Sequence, residues 1–324
     1  MLKYIIKRIL WMIPVFLGVI FLIFTLNYIS PSDPVVAQLG TNYTQEQYDQ
    51  MEHQMGLDQP FLVQYGTYIK NIVTKFDFGE SYSTHRQVGE MIAERFPTTL
   101  MLGIFSMLLT IVLAVPLGVL AGTRQYSPLD YCVVIGTVIF AALPSFWIAL
   151  MAIILFSFKL NWLPATGLDS WKSWILPVAC LGLTPVASIM RMTRSSILEV
   201  IRQDYITTAR AKGLPEGQVI RRHAIKNSLI PVITAIGMQV GMVMGGSILV
   251  ETIFSFPGIG TLLNTAIAGK DYPVIEGCVV VLSISISVIN LIVDLAYAYI
   301  DPRIHAQYIS SSGKKKQKAA QESA

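Results

Sequence analysis

Six long apolar stretches alternate with polar segments along the chain. At 1.5 Å per residue, each can cross most or all of the roughly 30 Å hydrocarbon layer of a bilayer. Proline lies within five of them, and broken helices at membrane depth need protein or water around them. The pattern predicts an all-α integral membrane protein with six transmembrane helices. The predicted spans are residues 9–29, 98–121, 131–158, 174–190, 228–250 and 277–300.

The polar segments divide the chain into four regions. Residues 1–30 hold a short basic segment and the first span, which is too long for a signal-peptide core and has no small-residue cleavage site after it. We therefore expect this helix to be retained. Residues 31–97 form a sizeable extracytoplasmic region, and residues 98–304 form a five-helix core that contains a polar loop at 191–228. Residues 305–324 form a basic tail with the composition of a disordered segment.

Composition and charge support this topology. Hydrophobic residues make up 53% of the chain and charged residues only 14%, whereas about a quarter of the residues in soluble domains are charged. The basic residues lie beside the apolar spans and form no patch interleaved with aromatic residues, so we predict no nucleic-acid partner. With a cytoplasmic N terminus, 17 of the 24 Lys and Arg residues fall on the inner side. This asymmetry predicts that both termini are cytoplasmic.

The segment 191–231 is the one long basic interval in the second half of the chain. Within it, Asp204 can cap a helix, Gly213 can end that helix in the left-handed conformation, and Pro215 prevents continuation. We interpret the segment as a docking element that presents a short helix. A solvated loop that only fixes the topology is the alternative interpretation.

The predicted short helix carries a row of residues spaced four apart, namely Tyr205, Ala209 and Gly213. Residues at this spacing lie on one face of a helix. Because this face has few bulky side chains, we expect another backbone or a large side chain to approach it closely. Arg210 and Lys212 flank the row and could contact acidic or carbonyl groups of a partner.

Polar residues within the predicted spans are few, and an ionisable residue there is a candidate for function. The pathway candidates are Gln239, Met242, Ser247, Glu251 and Asn290. For Met242, packing is an alternative role, because methionine fills irregular gaps between helices.

Three glycines of the fifth span, Gly237, Gly241 and Gly245, repeat at every fourth position. Small residues at this spacing let two transmembrane helices approach closely. We expect these glycines to pack against a neighbouring helix. A mobile, pathway-lining face is the alternative.

The chain contains no motif for catalysis or for nucleotide binding. It lacks a GxxxxGK(S/T) phosphate loop, an HExxH zinc motif and a GxSxG nucleophile motif, and its four histidines are scattered among different segments. We therefore expect no catalytic residue, no metal site and no cofactor held by this chain. Uphill transport would draw its energy from a partner protein or from an ion gradient.

Motifs distributed over nearly the full chain resemble those of the inner-membrane permease subunits of peptide and nickel ATP-binding-cassette (ABC) importers, the DppB/OppB-like group. The matching motifs are PSDP at 31–34, FDFGESYSTHRQV at 76–88, ERFPTTL at 94–100, LPSFWIAL at 143–150, NWLPATG at 161–167, RMTRSSILEVIRQDYITTARAKGL at 191–214, ETIFSFPGIG at 251–260, KDYPV at 270–274 and NLIVDLAYAYIDPRI at 290–304.

The resemblance implies a type I ABC importer permease fold and a role for the 191–228 loop. In this family a short cytoplasmic helix with an EAA-x-x-x-G pattern sits in a cleft of the ATP-hydrolysing subunit. Here Thr207 stands where the general pattern has Glu, so a salt bridge from that position is not expected. The ATPase-coupling residues implied are Asp204, Tyr205, Thr207, Thr208, Ala209, Arg210, Ala211, Lys212 and Gly213.

The resemblance also implies the assembly. A second homologous permease subunit, two ATP-binding subunits that carry ATP and Mg, and an external substrate-binding protein would join this chain in the lipid bilayer of the cell inner membrane. Peptides are the expected cargo, with nickel, glutathione or haem as alternatives within the family. A stand-alone secondary transporter is a rival, but inverted repeats and clustered intramembrane charges are not evident in the sequence. A scaffold without a transport role is the other rival.

Overall fold

The structure, a computed structural model, describes residues 2–30, 33–40 and 42–300, and the predicted tail at 305–324 lies outside the described residues. Within these ranges the regular structure is helical, apart from an isolated bridge between Glu80 and Gln87. The all-α prediction is therefore confirmed. The helices are α1 Leu2–Ile29, α2 Pro34–Leu39, α3 Gln45–Met55, α4 Phe61–Lys75, α5 Val88–Thr123, α6 Pro128–Ala142, α7 Ser145–Ala152 with a π-helical extension Ile153–Lys159, a 3₁₀ turn Trp171–Trp174, α8 Ile175–Leu183, α9 Val186–Ile201, α10 Asp204–Ala211, α11 Glu216–Gln218 with a π-helical extension Val219–Ala224, α12 Ile225–Ile253, α13 Ile259–Gly269 and α14 Tyr272–Ile300.

Four continuous helical segments in the described part of the chain are long and apolar enough to cross a membrane. Two helix pairs meet this criterion only when taken together. The pair α6 and α7 is bent by 98°, and the pair α8 and α9 is bent by 51°. The six predicted spans correspond to these four segments and two bent pairs. The six-span count and the side on which the termini lie stay predictions.

The prolines act differently at different positions. Leu143 has the extended backbone that a following proline favours, and the chain turns there before Pro144 precedes α7. The bend between α8 and α9 lies at Pro185. In contrast, Pro116 and Pro231 lie inside the uninterrupted helices α5 and α12. A proline in a transmembrane helix is tolerated where neighbouring groups satisfy the backbone that it frees.

Helix α5 lies at the centre of the bundle and packs closely against α9 and α8. A side chain at Gly118 would overlap Thr193 and the backbone of α9, and one at Gly122 would overlap Ile197. At the α8 contact, the Thr110 hydroxyl donates to the Gly182 carbonyl oxygen at 2.6 Å. Small residues therefore bring α5 and its two neighbours together as one packed unit.

The predicted packing role of the glycines in α12 is confirmed at one of the three positions. A side chain at Gly237 would overlap Val293 of α14. Gly241 has ordinary van der Waals room beside Ile286, and the space next to Gly245 is open. The small-residue repeat thus marks a close α12–α14 contact at one end only.

Candidate coupling site and translocation core

Helix α10 forms within the basic segment, although its first turn differs from the prediction. Gln203 precedes the helix, and no side chain caps the first turn. The prediction that Asp204 is the cap is wrong, because Asp204 is already the first helical residue. Its carboxylate is still placed favourably at the positive end of the helix dipole. Gly213 has φ +76°, so its predicted left-handed conformation is confirmed.

One face of α10 is buried against the chain's own helices. Ile206 and Ala209 pack with Ile197 of α9 and with Val219 and Ala224, which follow α11. The predicted open row therefore fails at Ala209, because the permease itself covers that position. This small hydrophobic cluster, which we name the α10 cluster, holds the short helix against the end of α9.

The opposite face of α10 is exposed, and it carries most of the remaining predicted coupling residues. They are Asp204, Thr207, Thr208, Ala211 and Lys212. The Thr208 hydroxyl donates to the Asp204 carbonyl oxygen at 2.9 Å, which returns its polar group to the helix backbone. These residues form a small surface with short side chains at its centre and a charged residue at each end, Asp204 and Lys212.

Two further predicted coupling residues are engaged within the chain. Arg210 forms a two-point contact with Glu216, with nitrogen-to-oxygen distances of 3.0 and 2.6 Å, across the turn that contains Gly213. The hydrogen bond to Glu216 raises the pKa of Arg210 above its ordinary value. The Tyr205 hydroxyl accepts from Asn227 at 3.2 Å. These contacts link α10 to α11 and to the start of α12.

A second arginine contact, which was not predicted from the sequence, joins α9 to the start of α6. Arg194 of α9 donates from two nitrogens to the two carboxylate oxygens of Asp130, both at 2.7 Å. Asp130 is buried and also accepts from the Tyr126 backbone N–H at 3.0 Å. Its position three residues after Ser127, which caps α6, indicated a helix start but not the distant arginine. The pair ties the turn between α5 and α6 to α9.

The predicted pathway candidates occupy different environments. Met242 and Asn290 are exposed on the surface of the described subunit, and Gln239 is half-buried. Ser247 is fully buried and donates to the Met244 carbonyl oxygen at 2.7 Å, within its own helix. The five candidates therefore do not share one surface.

Glu251 is also fully buried, and it binds the turn that follows α12. Its Oε2 accepts from the Gly260 backbone N–H at 2.7 Å. Beside it, the Thr99 hydroxyl oxygen accepts from the Ile259 N–H at 2.8 Å, and Gly258 approaches so closely that a side chain there would overlap both Glu251 and Thr99. Within this subunit Glu251 fixes the α12–α13 turn and has no exposed surface, which corrects its placement among pathway residues.

A second buried carboxylate joins two of the sequence motifs. Asp271 accepts from the Ser81 and Ser83 hydroxyls at 2.6 and 2.7 Å and from the Tyr82 and Ser83 backbone N–H groups at 3.1 and 3.3 Å. Burial raises the pKa of the neighbouring Tyr82 phenol. Asp271 thereby clamps the 76–88 motif to the start of α14. In the sequence, the only sign of this contact was the presence of Ser81 and Ser83 in that motif.

Comparisons with known proteins agree with this architecture. The family of binding-protein-dependent transport system inner membrane components matches residues 114–306, and its N-terminal component matches residues 1–103. Similar proteins include the dipeptide transport system permease protein DppB of Alkalihalophilus pseudofirmus, 40% identical with 94% of this chain and 99% of the relative covered. A putative peptide transport system permease of Brucella suis is 39% identical, with 93% and 98% covered. The glutathione transport system permease GsiC of Escherichia coli K12 is 39% identical, with 94% and 99% covered.

The fold is also found among solved structures. An inward-facing structure of the MetNI methionine ABC transporter has a chain that aligns with a TM-score of 0.56 at 20% identity, with 65% of this chain and 96% of that chain covered. Within the described residues, no group of three or more His, Cys, Asp or Glu side chains is arranged to hold a metal ion. The chain belongs to the binding-protein-dependent transport system inner membrane components, the multi-pass membrane permeases of ABC importers, which work with ATP-binding subunits and a substrate-binding protein.

Proposed function

We propose that this chain forms half of the translocation pathway of a peptide importer, with a second homologous permease subunit forming the other half. The observation that carries the proposal is the similarity, at about 40% identity over nearly the whole chain, to permeases named for dipeptide, peptide and glutathione transport. Glutathione is itself a short peptide, so the three names share one substrate chemistry. Import of nickel or haem is the alternative within the family.

The exposed face of α10 docks an ATP-binding subunit in this proposal. Thr207, Thr208 and Ala211 are short side chains, so a partner surface can approach the helix closely. Because Thr207 replaces the Glu of the general pattern, this contact depends on shape complementarity rather than on a salt bridge from that position. ATP and Mg are bound by the two ATP-binding subunits, and closure of those subunits displaces α10.

The displacement of α10 reaches the transmembrane helices through contacts that are already formed. The α10 cluster joins α10 to α9. Arg194 then joins α9 to the turn before α6, and the glycines of α5 join α5 to the same helix. Packed contacts transmit displacement because protein interiors compress little, so the joined elements move together rather than as independent segments. The four chain regions, 1–30, 31–97, 98–304 and 305–324, keep the roles predicted above, with the external binding protein docking on the 31–97 side.

A matched pair of substitutions tests the coupling role. Ala211→Arg places a long side chain on the exposed face of α10, whereas Gln218→Arg adds the same side chain at an exposed position of α11. The complete transporter is reconstituted in proteoliposomes with its ATP-binding subunits, second permease and binding protein. We expect Ala211→Arg to lower ATP-driven uptake of a labelled dipeptide by about tenfold, while Gln218→Arg stays close to the unmodified chain.

Four outcomes would contradict the proposal. Equal uptake by Ala211→Arg and Gln218→Arg would remove α10 from the coupling role. Uptake by this chain without ATP-binding subunits would identify a secondary transporter. Labelled glutathione, nickel and haem are therefore tested beside the dipeptide in the same assembly: uptake of none of the four would indicate a scaffold, and uptake of nickel or haem without uptake of the dipeptide would overturn the peptide assignment.

A further inference from the structure

Helix α4 has three distinct faces, and their arrangement is the reverse of what a water-exposed helix shows. One face packs on α1 through aromatic rings. A second, polar face lines an open cleft. The third face is apolar and points away from the described protein. We propose that α4 is embedded in the bilayer leaflet at the C-terminal end of α1, with its third face against lipid acyl chains, although it lies in the 31–97 segment predicted to be extramembrane.

The first face places α4 at membrane depth. The Tyr65 hydroxyl donates to the Leu17 carbonyl oxygen of α1 at 2.9 Å. Leu17 lies near the middle of the apolar segment Arg8–Ile29, at about 18 Å along the helix axis from Ile29. The hydrocarbon layer is about 30 Å thick, so this contact lies well inside it if α1 spans the bilayer.

An aromatic seam continues this contact along α1. The Phe61 ring lies 4.9 Å from the Tyr28 ring and 5.8 Å from the Phe21 ring, centroid to centroid. The Tyr65 ring lies 5.4 Å from the Phe21 ring in an edge-to-face arrangement. Such ring pairs stabilise a contact beyond the apolar area that they bury. The seam therefore holds α4 in direct contact with α1.

The polar face of α4 is turned toward the rest of the protein, where it borders an open cleft. Gln64, Thr67, Tyr68 and Asn71 line this cleft, which has a volume of about 870 Å³ and lies between α1, the start of α14 and the 33–82 region. An amphipathic helix on the surface of a soluble domain does the opposite, with its apolar stripe toward the core. This inverted polarity is the arrangement that a lipid environment favours.

The third face is apolar and strongly exposed. Leu62 is 71% exposed, Val73 64% and Phe76, which follows the last residue of the helix, 80%. Exposed apolar surface of this extent marks an interaction site. Because the contact between Tyr65 and Leu17 lies at membrane depth, lipid acyl chains are the partner that meets this face.

One lysine flanks the apolar face. Lys70 is exposed beside it, whereas Lys75 is exposed on the side of the helix that carries Gln64, Tyr68 and Asn71. Lysine side chains in interfacial helices lay their methylene groups along apolar surface and extend the ammonium group to the headgroups. Helix α4 thus has both parts of an interfacial helix. The surface left for a binding protein on this side is then formed by α2, α3 and the 77–87 loop.

Spin-label accessibility tests the placement of α4. Cys180 and Cys278 are buried, so replacing the exposed Cys132 with Ser leaves no accessible native thiol among the described residues. Val73→Cys is labelled in this background, and Gln50→Cys on the exposed surface of α3 is the matched control. In proteoliposomes of the complete transporter, we expect the label at residue 73 to be more accessible to oxygen than to a water-soluble nickel chelate. The label at residue 50 should show the reverse.

A label at residue 73 that is as accessible to the nickel chelate as the control would overturn the proposal. A label accessible to neither reagent would also overturn it, because a protein partner would then cover the face. The unmodified transporter supplies a second measurement that does not depend on the variants. After irradiation with a lipid that carries a diazirine in its acyl chain, peptides from 61–76 should be cross-linked and peptides from α3 should not. Cross-linking of neither would contradict lipid contact.

Discussion

The two ends of the helical core are fixed by different chemistry. At one end, which we name the carboxylate end, buried Glu251 and Asp271 accept hydrogen bonds that hold the α12–α13 turn and the 77–87 loop. At the other, the arginine end, α10 is held by the α10 cluster and by the Arg210–Glu216 pair, and α9 is held to the turn before α6 by the Arg194–Asp130 pair. The first end fixes backbone conformation, and the second fixes the positions of whole helices.

The difference fits two mechanical roles. At the carboxylate end, each carboxylate satisfies backbone N–H groups in a buried setting, and such groups are costly to leave unpaired. This end is therefore expected to stay rigid. At the arginine end, the Arg210–Glu216 pair is about half exposed, so water can replace this contact at a lower cost, whereas the Asp130 partner of Arg194 is itself buried. In the proposed coupling, the exposed pair can adjust when α10 moves, while the α10 cluster and the Arg194–Asp130 pair carry the movement to α9 and to the turn before α6.

The largest expected effect is at Asp271. Asp271→Ala leaves the two serine hydroxyls and two backbone N–H groups without their buried acceptor, and we expect a loss of about 4 kcal/mol in the free energy of unfolding. Asp271→Asn keeps one oxygen acceptor and should lose about half as much. Thermal unfolding in detergent measures the stability, and limited proteolysis of the 77–87 loop reports its release. If the loop stays protected in Asp271→Ala, the clamp is not what fixes this end.

Glu251 is expected to follow at about 3 kcal/mol. Glu251→Ala removes the acceptor of the Gly260 N–H and leaves a cavity beside Thr99. Glu251→Gln has nearly the same volume and retains an oxygen for the same N–H, so it separates loss of the hydrogen bond from loss of charge. Hydrogen exchange of the 254–260 backbone should increase in Glu251→Ala and change little in Glu251→Gln. Equal exchange in both would show that charge, rather than the hydrogen bond, holds the turn.

Arg194→Lys should cost less, about 1.5 kcal/mol. Lysine keeps the charge opposite Asp130 but cannot donate from two nitrogens in a fixed fork. Because the pair joins the turn before α6 to α9, we expect a further effect on coupling: peptide uptake should fall relative to ATP hydrolysis in the reconstituted transporter. Arg191→Lys, at an exposed position of the same helix, is the control. A matching fall in uptake by the control would mean that the Arg194 fork has no special role.

The sequence predicted elements whose signals are local. Apolar runs located the membrane helices, and Gly213 with Pro215 located the end of α10. The bend between α6 and α7 was not predicted. In the sequence, Pro144 at this bend cannot be told apart from Pro116, which lies inside the continuous helix α5, because the packing around each proline decides whether the helix continues. The amphipathic pattern of α4 was also present, but the direction of its polar face depends on where α1 lies.

The carboxylate contacts could not be predicted for a different reason. Asp271 and Ser81 are separated by 190 residues, and both motifs were recognised without any indication that they meet. Glu251 was taken for a pathway residue because an acidic side chain beside a span is a functional candidate by default. Its partner is the backbone N–H of Gly260, and a backbone group leaves no mark in the sequence. Likewise, nothing at Ala209 indicated that its small side chain faces inward.

The smallest expected effect is at the exposed pair of the arginine end. Glu216→Gln removes the charge from the contact with Arg210 and should cost about 0.5 kcal/mol in stability, because exposed pairs gain little in water. The same substitution should lower the ATP-driven uptake more at low salt than at high salt, since screening weakens the intact pair as ionic strength rises. Uptake measured at several salt concentrations tests this, with Glu199→Gln, an exposed position of α9, as the control. If the loss of uptake in Glu216→Gln is the same at every salt concentration, the pair holds the α10–α11 turn by shape alone. The arginine end would then resemble the carboxylate end.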